Sequence, residues 1–502
     1  MIPRLLQMAA SQPTAPFIFY EDSVWSFQSV ADLVTRGSTW LASLGIEPGD
    51  KIVIAVSNRP LFLFFWFSVI ARGAVAVPIS HESFGDSLRY MVQQSDAKAI
   101  LTEHQELERI SQELAALPVR VFGFTGEKQF VEIAGACIPA DVAPCADRTP
   151  VSILYTSGTT GYPKGAVVPN RAYLAAGEKI TEAIGITGED RILTFLPLHH
   201  ANPQMYSILS ALTVGCSVVV IRKFSATQFL DQVKRYQPTG FTYVGTVLSI
   251  LEKTITQPQT TSLKWCVGGG APRVVWQDLA PRLGVNVHEL YGMTETGGLV
   301  TINSRVRNRF GSVGAVRDDF YVAVLGPDDH LLPSECIGEI AVRPKLPYVM
   351  STAYFNKPAE TLDAMQNLWF HTGDLGRFDA DGFLYFEGRN KELIRRAGEM
   401  ISPVEIELAA LKHSQISDCA AIGVKDPILE EEIKLVVVSK GQIQAEEIVS
   451  FLRKSLQKHL LPRYIEFVNE IPKTATQKIQ RFKLVPNSGR VIDLKAQPEK
   501  SG

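Results

Sequence analysis

No apolar run in this 502-residue sequence is long enough to cross a bilayer. The most apolar stretch, LFLFFWFSVIA over residues 61–71, stops at Arg72, well short of the roughly 20 residues that a spanning helix needs. It is expected instead as a buried helix leading into the strand AVAVPI. Neither sign of charge dominates. Fifty basic against 52 acidic residues leave a formal charge of −2, which gives no footprint for nucleic acid or an anionic membrane as the main partner. Cysteine is scarce: Cys137, Cys145, Cys216, Cys266, Cys336 and Cys419 include no pair at CxxC or zinc-ligand spacing. That pattern points to buried thiols in a reducing compartment, the cytoplasm. The first residues, MIPRLLQMAASQPTAP, lack an apolar core of signal-peptide length, so no export signal is expected. Internal repeats, low-complexity tracts and coiled-coil heptads are also missing.

What is present is an ordinary globular composition, 46% hydrophobic and 20% charged, enough to bury more than one core. Short β-branched segments such as KIVIAVS, AKAILTE, GCSVVVIRK and GFTYVGT alternate with amphipathic stretches such as DSLRYMVQQSD and ATQFLDQVKRYQP. The alternation predicts an α/β architecture with parallel sheets covered by helices. From about Ser312 the texture changes to closely spaced strands with Gly and Asp-Gly turns, an antiparallel β unit. After Arg389 a strand pair, a helix, CAAIGVKD, IKLVVVSK, a second helix and YIEFVNE predict a separate α+β domain. Beyond Pro486 the chain is polar and expected to be a loose tail.

The segment YTSGTTGYPKG, residues 155–165, crowds three glycines, a proline, a lysine and several hydroxyls between two apolar runs. Small residues let backbone approach a ligand, and hydroxyls, backbone N–H groups and a lysine suit phosphate oxygens. The nucleotide loop of P-loop NTPases is excluded, because counting from Gly158 places Pro163 where that motif requires its second glycine.

Four further motifs follow in order: YGMTETGG, WFHTGDLG, GRNKELIRRAGEMISPVEIE and PKTATQKIQR. Together with the first loop they resemble the acyl-adenylate-forming superfamily, which includes acyl-CoA synthetases, peptide-synthetase adenylation domains and beetle luciferases. The resemblance runs from the N-terminus to about Leu484. It implies an α/β fold: a large N-terminal domain (1–390) of two α/β subdomains plus a β-barrel-like subdomain, then a small mobile α+β domain (391–486), with 487–502 as tail. It also implies ATP, Mg²⁺ and CoA as reactants and cofactor.

By that resemblance Thr156, Ser157, Gly158, Thr159, Thr160 and Gly161 embrace the β- and γ-phosphates of ATP, and Lys164 adds a charge. Tyr291 stacks on adenine beside Gly292, Thr294 touches the α-phosphate, and Glu295 coordinates Mg²⁺, a hard cation that prefers oxygen ligands. Gly269, Gly270 and Ala271 border the adenine and the acyl group. Asp374 and Arg389 match ribose contacts, where a carboxylate accepts from hydroxyls and a guanidinium donates. Lys478 matches the lysine essential for adenylation, although Gln477 stands where the family usually has glycine. Lys391 matches the hinge of the small domain, and Arg395 and Gly398 lie in the hairpin that serves the thiol step.

The acid is less legible. His200, in LPLHHANPQM, matches the family position lining the acyl channel, with a simple packing histidine as the alternative. Residues 194–205 contain no aspartate, the residue by which amino-acid-activating relatives pair a substrate amine. Pocket walls are expected at His200, Tyr243, Val244, Gly245, Gly268 and Met293, suiting a short, medium or aryl acid. The texture around FSATQFLDQVKRYQP resembles the carnitine/crotonobetaine-CoA ligase branch. The function expected is an ATP-dependent acid:CoA ligase, monomeric or homodimeric. The alternatives are an adenylating enzyme that loads a carrier protein's phosphopantetheine and a non-catalytic acyl-nucleotide sensor.

Overall fold

In the computed structural model, which describes residues 1–156, 163–389, 394–396, 399–401, 403–426, 430–456, 458–473, 479–484 and 490–494, the apolar run becomes a helix, Pro60–Ala71. All 12 of its residues are buried. Proline at the first turn loses no helical hydrogen bond there, and each buried aromatic ring contributes about 1.5–3 kcal/mol. Helix Phe27–Ser43 packs on it so closely that a Cβ at Gly37 would lie 2.3 Å from Ser68 Oγ. Trp66 Nε1 donates to Ser152 Oγ at 3.2 Å and ties this helix to strand Pro150–Thr156.

The chain folds as two compact units, Met1–Ala323 with Ala341–His371 and Phe378–Tyr385, and Val324–Ile340 with Thr372–Arg377 and Phe386–Gly502. The expected domain limit at 390 lies just past Phe386, where the chain last enters the second unit, and two earlier segments also join that unit.

The first unit holds two mainly parallel sheets. One runs in the spatial order Arg120–Phe124, Ala97–Glu103, Lys51–Ala55, Val75–Pro78, Pro150–Thr156, Lys164–Pro169. Its last pair is antiparallel and sets Thr156 opposite Lys164, side by side at the end of a hairpin of strands. Residues 352–355 lie along the outer strand of that hairpin, with Phe355 N donating to Gly165 O at 2.8 Å and Val167 N to Ala353 O at 2.9 Å.

The other sheet has the order Ala315–Val316, Thr301–Ile302, Asn286–Tyr291, Trp265–Gly269, Gly240–Val244, Arg191–Thr194, Ser217–Val220, Pro16–Tyr20, Ser23–Ser26. Its strands from Pro16–Tyr20 to Asn286–Tyr291 are parallel. Ligands of open α/β sheets bind beyond the carboxyl ends of such strands, which directs attention to Val244, Gly269 and Tyr291.

In the second unit Glu399–Ile401, Ile394–Arg396, Glu430–Ser439, Tyr464–Phe467 and Arg490–Asp493 form a sheet, with Ile416–Asp426 also on Glu430–Ser439. Helices Pro403–Ala410 and Ala445–Leu452 bury Ile406, Ile448 and Leu452 against it. The loose tail expected beyond Pro486 is corrected at Arg490–Asp493, an antiparallel edge strand on Tyr464–Phe467. Ile492 packs on the core, and Arg463 holds Asp493 in a two-pronged ion pair, Nε to Oδ1 3.1 Å and Nη2 to Oδ2 2.9 Å. Four residues are too few for their alternation to stand out in a polar stretch.

Candidate active site

Three segments of the first unit converge on one carboxylate. Thr156, the last residue of its strand, donates through Oγ1 to Glu295 Oε1 at 3.1 Å, and Tyr354 donates through its hydroxyl to the same oxygen at 2.9 Å. The Glu295 carbonyl accepts from Ser351 Oγ at 2.7 Å and Ser351 N at 3.0 Å. Glu295 is 7% exposed, so these bonds fix its side chain and its backbone together. Lys164, across the hairpin from Thr156, sets its ammonium 4.4 Å from the centre of the Tyr354 ring. Burial and the Glu295 charge push the Tyr354 hydroxyl well above its ordinary range, so it stays a donor.

A carboxylate and a hydroxyl at the mouth of the hairpin form a hard-oxygen donor set of the kind that suits Mg²⁺. The lysine beside them suits a phosphate. Among the sequence-predicted phosphate contacts, Ser157, Gly158, Thr159, Thr160 and Gly161 lie outside the described residues. Thr156, Lys164 and Glu295 are brought close together. Tyr354 is a residue that sequence reasoning missed; its only signal was a tyrosine beside a turn in STAYFNKPAET.

The next loop follows strand Asn286–Tyr291. A Cβ at Gly292 would fall 1.9 Å from Gly298 O, so glycine is required by close backbone. The turn is locked by Met293 N donating to Thr296 Oγ1, Gly297 N to Thr294 O and Gly298 N to Met293 O, at 3.0, 3.1 and 3.0 Å. This leaves Thr294 and Met293 half-exposed at the tip. Beneath the loop Arg317 donates through Nη1 to Leu299 O at 2.6 Å and holds Asp319 by Nε to Oδ1 3.0 Å and Nη2 to Oδ2 2.6 Å. Both side chains are nearly sealed from solvent, at 2% and 4% exposure. Replacing Asp319 with alanine leaves the guanidinium buried without its carboxylate, at an expected cost of about 3–5 kcal/mol, read as a lower midpoint in denaturant unfolding.

The acyl-side wall differs from expectation at two residues, Tyr243 and Gly268, both buried rather than lining open space. Val244, Gly245 and Thr246 are half-buried at the strand end, but the Tyr243 side chain is 0% exposed and does not line open space. Its hydroxyl donates to Glu289 Oε2 at 2.6 Å. Glu289 also accepts from the backbone of Gly270, by a very short bond, and from Ala271 N at 3.1 Å to each oxygen. Tyr243 is therefore corrected from a pocket wall to a buried strut, because a carboxylate in the sheet needs its donor.

Gly268 is buried by close approach, a Cβ there lying 2.1 Å from Tyr243 O. Gly269 and Ala271 are half-buried and Gly270 is exposed. His200 is half-buried and its ring lies against His199, with centroids 4.1 Å apart. Burial, with His200 and His81 nearby, holds the His199 imidazole well below its ordinary range and hence neutral. Asn202 donates to Tyr243 O at 3.0 Å, joining the histidine loop to the same strand end.

The remaining candidates belong to the second unit. Asp374 is buried in strand Trp369–Phe378, after Gly373 at φ +72°, and its N–H donates to Thr372 Oγ1 at 3.1 Å. Arg389 ends strand Leu384–Arg389, and Arg395 stands opposite Met400 in a strand pair. Gly398, Lys391, Gln477 and Lys478 lie outside the described residues.

The α/β unit that carries the Glu295 carboxylate and the smaller second unit both match adenylate-forming enzymes. Residues 5–354 match the family described as AMP-binding enzyme, and residues 405–478 match the AMP-binding enzyme C-terminal domain. The chain belongs to the AMP-binding enzyme family. It is similar to the crotonobetaine/carnitine–CoA ligase of Salmonella paratyphi C, 28% identical over 477 residues, covering 91% of this chain and 92% of the relative. The Salmonella choleraesuis ligase of the same description is 29% identical over the same coverage.

Solved structures share the fold. The o-succinylbenzoate CoA synthetase MenE from Bacillus subtilis, in complex with its acyl-adenylate intermediate, superposes with a TM-score of 0.87 at 24% identity, over 96% of this chain and 97% of that one. A benzoate CoA ligase from Burkholderia xenovorans LB400 gives 0.86 at 21% identity, over 96% and 99%.

Proposed function

We propose that the acid activated by this enzyme is short or aryl and carries no free α-ammonium group. The enzyme itself is an AMP-forming acyl-CoA synthetase, an ATP-dependent acid:CoA ligase that uses ATP, Mg²⁺ and CoA. The observation that carries the mechanism is the Glu295 carboxylate held by Thr156 and Tyr354 at the mouth of the hairpin.

A carboxylate is a poor electrophile. Its oxygen attacks the α-phosphorus of ATP, the bond to the β-phosphate oxygen breaks, and pyrophosphate leaves with its electron pair. The CoA sulfur then attacks the acyl carbon of the acyl-AMP, giving the thioester and AMP with loss of the thiol proton. Negative charge gathers at phosphorus in the first step, so fixed cations there stabilise the transition state. Thr156 and Lys164 would hold the β- and γ-phosphates of ATP, which leave as pyrophosphate, and Glu295 with Thr156 would supply oxygens for Mg²⁺, which would neutralise phosphate charge there. Lys478 is the cation for adenylation, Asp374 and Arg389 take the ribose, Lys391 is the hinge, and Arg395 and Gly398 serve the thiol step.

Two observations support the choice of acid. Residues 194–205 contain no carboxylate, and Glu289, at the strand ends, is already taken up by Gly270, Ala271 and Tyr243. Neither is available to pair with an α-ammonium. The small walls at Val244, Gly245 and Thr246 fit a compact acid. Betaine-type acids are the competing class, because the relatives above are named for crotonobetaine and carnitine.

Pyrophosphate release from ATP and Mg²⁺ with short, medium, aryl, amino and betaine-type acids, with and without CoA, is the test. Release is expected with a short or aryl acid, with a thioester when CoA is added. Release only with amino acids overturns the proposed acid class. An adenylate that CoA fails to capture, but a carrier protein's phosphopantetheine does, replaces CoA as the acceptor.

A further inference from the structure

Glu289 is a carboxylate placed inside the sheet, and among the described residues the groups that bind it are a hydroxyl and two backbone amides, with no basic side chain. Its strand, Asn286–Tyr291, is buried at every position after Asn286, and in register Glu289 stands beside Gly268 of the next strand. Its partners come from two other strand ends: the Tyr243 hydroxyl at 2.6 Å, and the N–H groups of Gly270 and Ala271. Those two amides belong to the exit of strand Trp265–Gly269, where Gly270 adopts φ +87°. The same exit is pinned from the other side, since a Cβ at Gly245 would fall 1.8 Å from Gly270 O. On its third side a Cβ at Gly269 would approach Leu290 O at 3.2 Å, next to Tyr291. The loop therefore has backbone on two sides and the carboxylate beneath it.

Burying an ionised carboxyl is costly unless donors surround it, and two of its three donors are main-chain groups of a loop that faces the site. The geometry points to Glu289 as a positioning residue for adenylation: through Gly270 and Ala271 it fixes the strand-exit loop bordering the nucleotide and the acyl group. The inference rests on the ligase reading for the identity of those ligands, but not for the bonds themselves.

Among the described residues, the titratable groups that face Glu289 are Tyr243 and the buried Cys266. Burial raises the Glu289 carboxyl to about 8, against the opposing pull of its Tyr243, Ala271 and Gly270 bonds. The ionised form accepts all three donors, whereas protonation removes one of the acceptor sites that hold them. Adenylation should therefore rise with pH through a limb near 8. Tyr243 favours the anion, so its loss moves the limb to higher pH.

The test compares wild type, Glu289→Gln and Tyr243→Phe in the full chain by two readouts. Peptide-level hydrogen exchange over residues 268–271, without substrate, reads the loop directly. Acid-dependent pyrophosphate release against pH reads its consequence. In Glu289→Gln, faster exchange is expected at those amides with the rest of the unit unchanged. A kcat about tenfold to a hundredfold lower, the scale of a small misplacement of reacting groups, should accompany loss of the limb near pH 8, with KM for ATP changing less. In Tyr243→Phe the limb should shift upward. Unchanged exchange in both variants, or a pH profile in Glu289→Gln identical to wild type, overturns the inference. A kcat loss that follows only the folded fraction does the same. A wild type that releases pyrophosphate with no acid overturns the ligase reading instead, and the exchange data still decide the role of Glu289.

Discussion

Lys478→Ala should lower acid-dependent pyrophosphate release by about a hundredfold to a thousandfold, the loss typical of removing one preorganised charge from a developing oxyanion. The reason is the charge history of the first step. The incoming carboxylate and the departing pyrophosphate are both anionic, so a cation at the α-phosphate is worth more in the transition state than in either ground state. The thiol step has a different requirement, because AMP leaves from carbon and no new bond to phosphorus forms. A purified acyl-adenylate supplied with CoA should therefore be converted by Lys478→Ala within about threefold of the wild-type rate, a difference too small to count as a lost transition-state contact. Measuring both half-reactions separates the roles, and equal losses in the two would remove Lys478 from its assignment to adenylation.

Glu295→Gln should be nearly as damaging, and for a reason visible in the structure. The amide keeps the size of the carboxylate and can still accept from Thr156 and Tyr354, while the Ser351 bonds to the backbone are untouched. The fold should survive and only the charge is lost. The expected result is a fall of about a hundredfold or more in pyrophosphate release, with the Mg²⁺ concentration for half-maximal rate displaced upward. Tyr354→Phe is the graded control. It removes one hydroxyl donor from the same carboxylate, worth about 1 kcal/mol, and should cost about fivefold with a smaller Mg²⁺ displacement. A Glu295→Gln enzyme with the wild-type Mg²⁺ dependence would exclude Glu295 as a metal ligand.

Much of this architecture was legible in the sequence because its signals are local. The parallel sheets follow from β-branched runs such as KIVIA between amphipathic helices, and the helix over residues 61–71 from an apolar run bounded by proline and arginine. The phosphate-suited segment 155–165 and the stretch after Tyr291 stood out because glycine, hydroxyl and charge crowd into single short segments. What escaped was contact across distance. Tyr354 meets Glu295 over 59 positions of chain, and Glu289 meets Tyr243 over 46.

No periodicity encodes such a pairing, and a tyrosine beside a glycine-rich strand end is as reasonable a pocket wall as a strut. One hint was available at Glu289. A carboxylate in a central parallel strand has no solvent face to turn to, so HELYGMTE contained a residue that needed donors the sequence does not name. The edge strand Arg490–Asp493 was hidden for the opposite reason, its two apolar residues being diluted in a polar end.

The loop at Gly270 and Ala271 is held through its main chain, and its closest neighbours at Gly245 and Leu290 are main chain as well. None of these anchors depends on which side chains project from Val244, Thr246 or Ala271. Substrate preference can therefore drift by exchanging those side chains while the nucleotide stays in register, so a single scaffold can be retuned from one acid to another without rebuilding its chemistry.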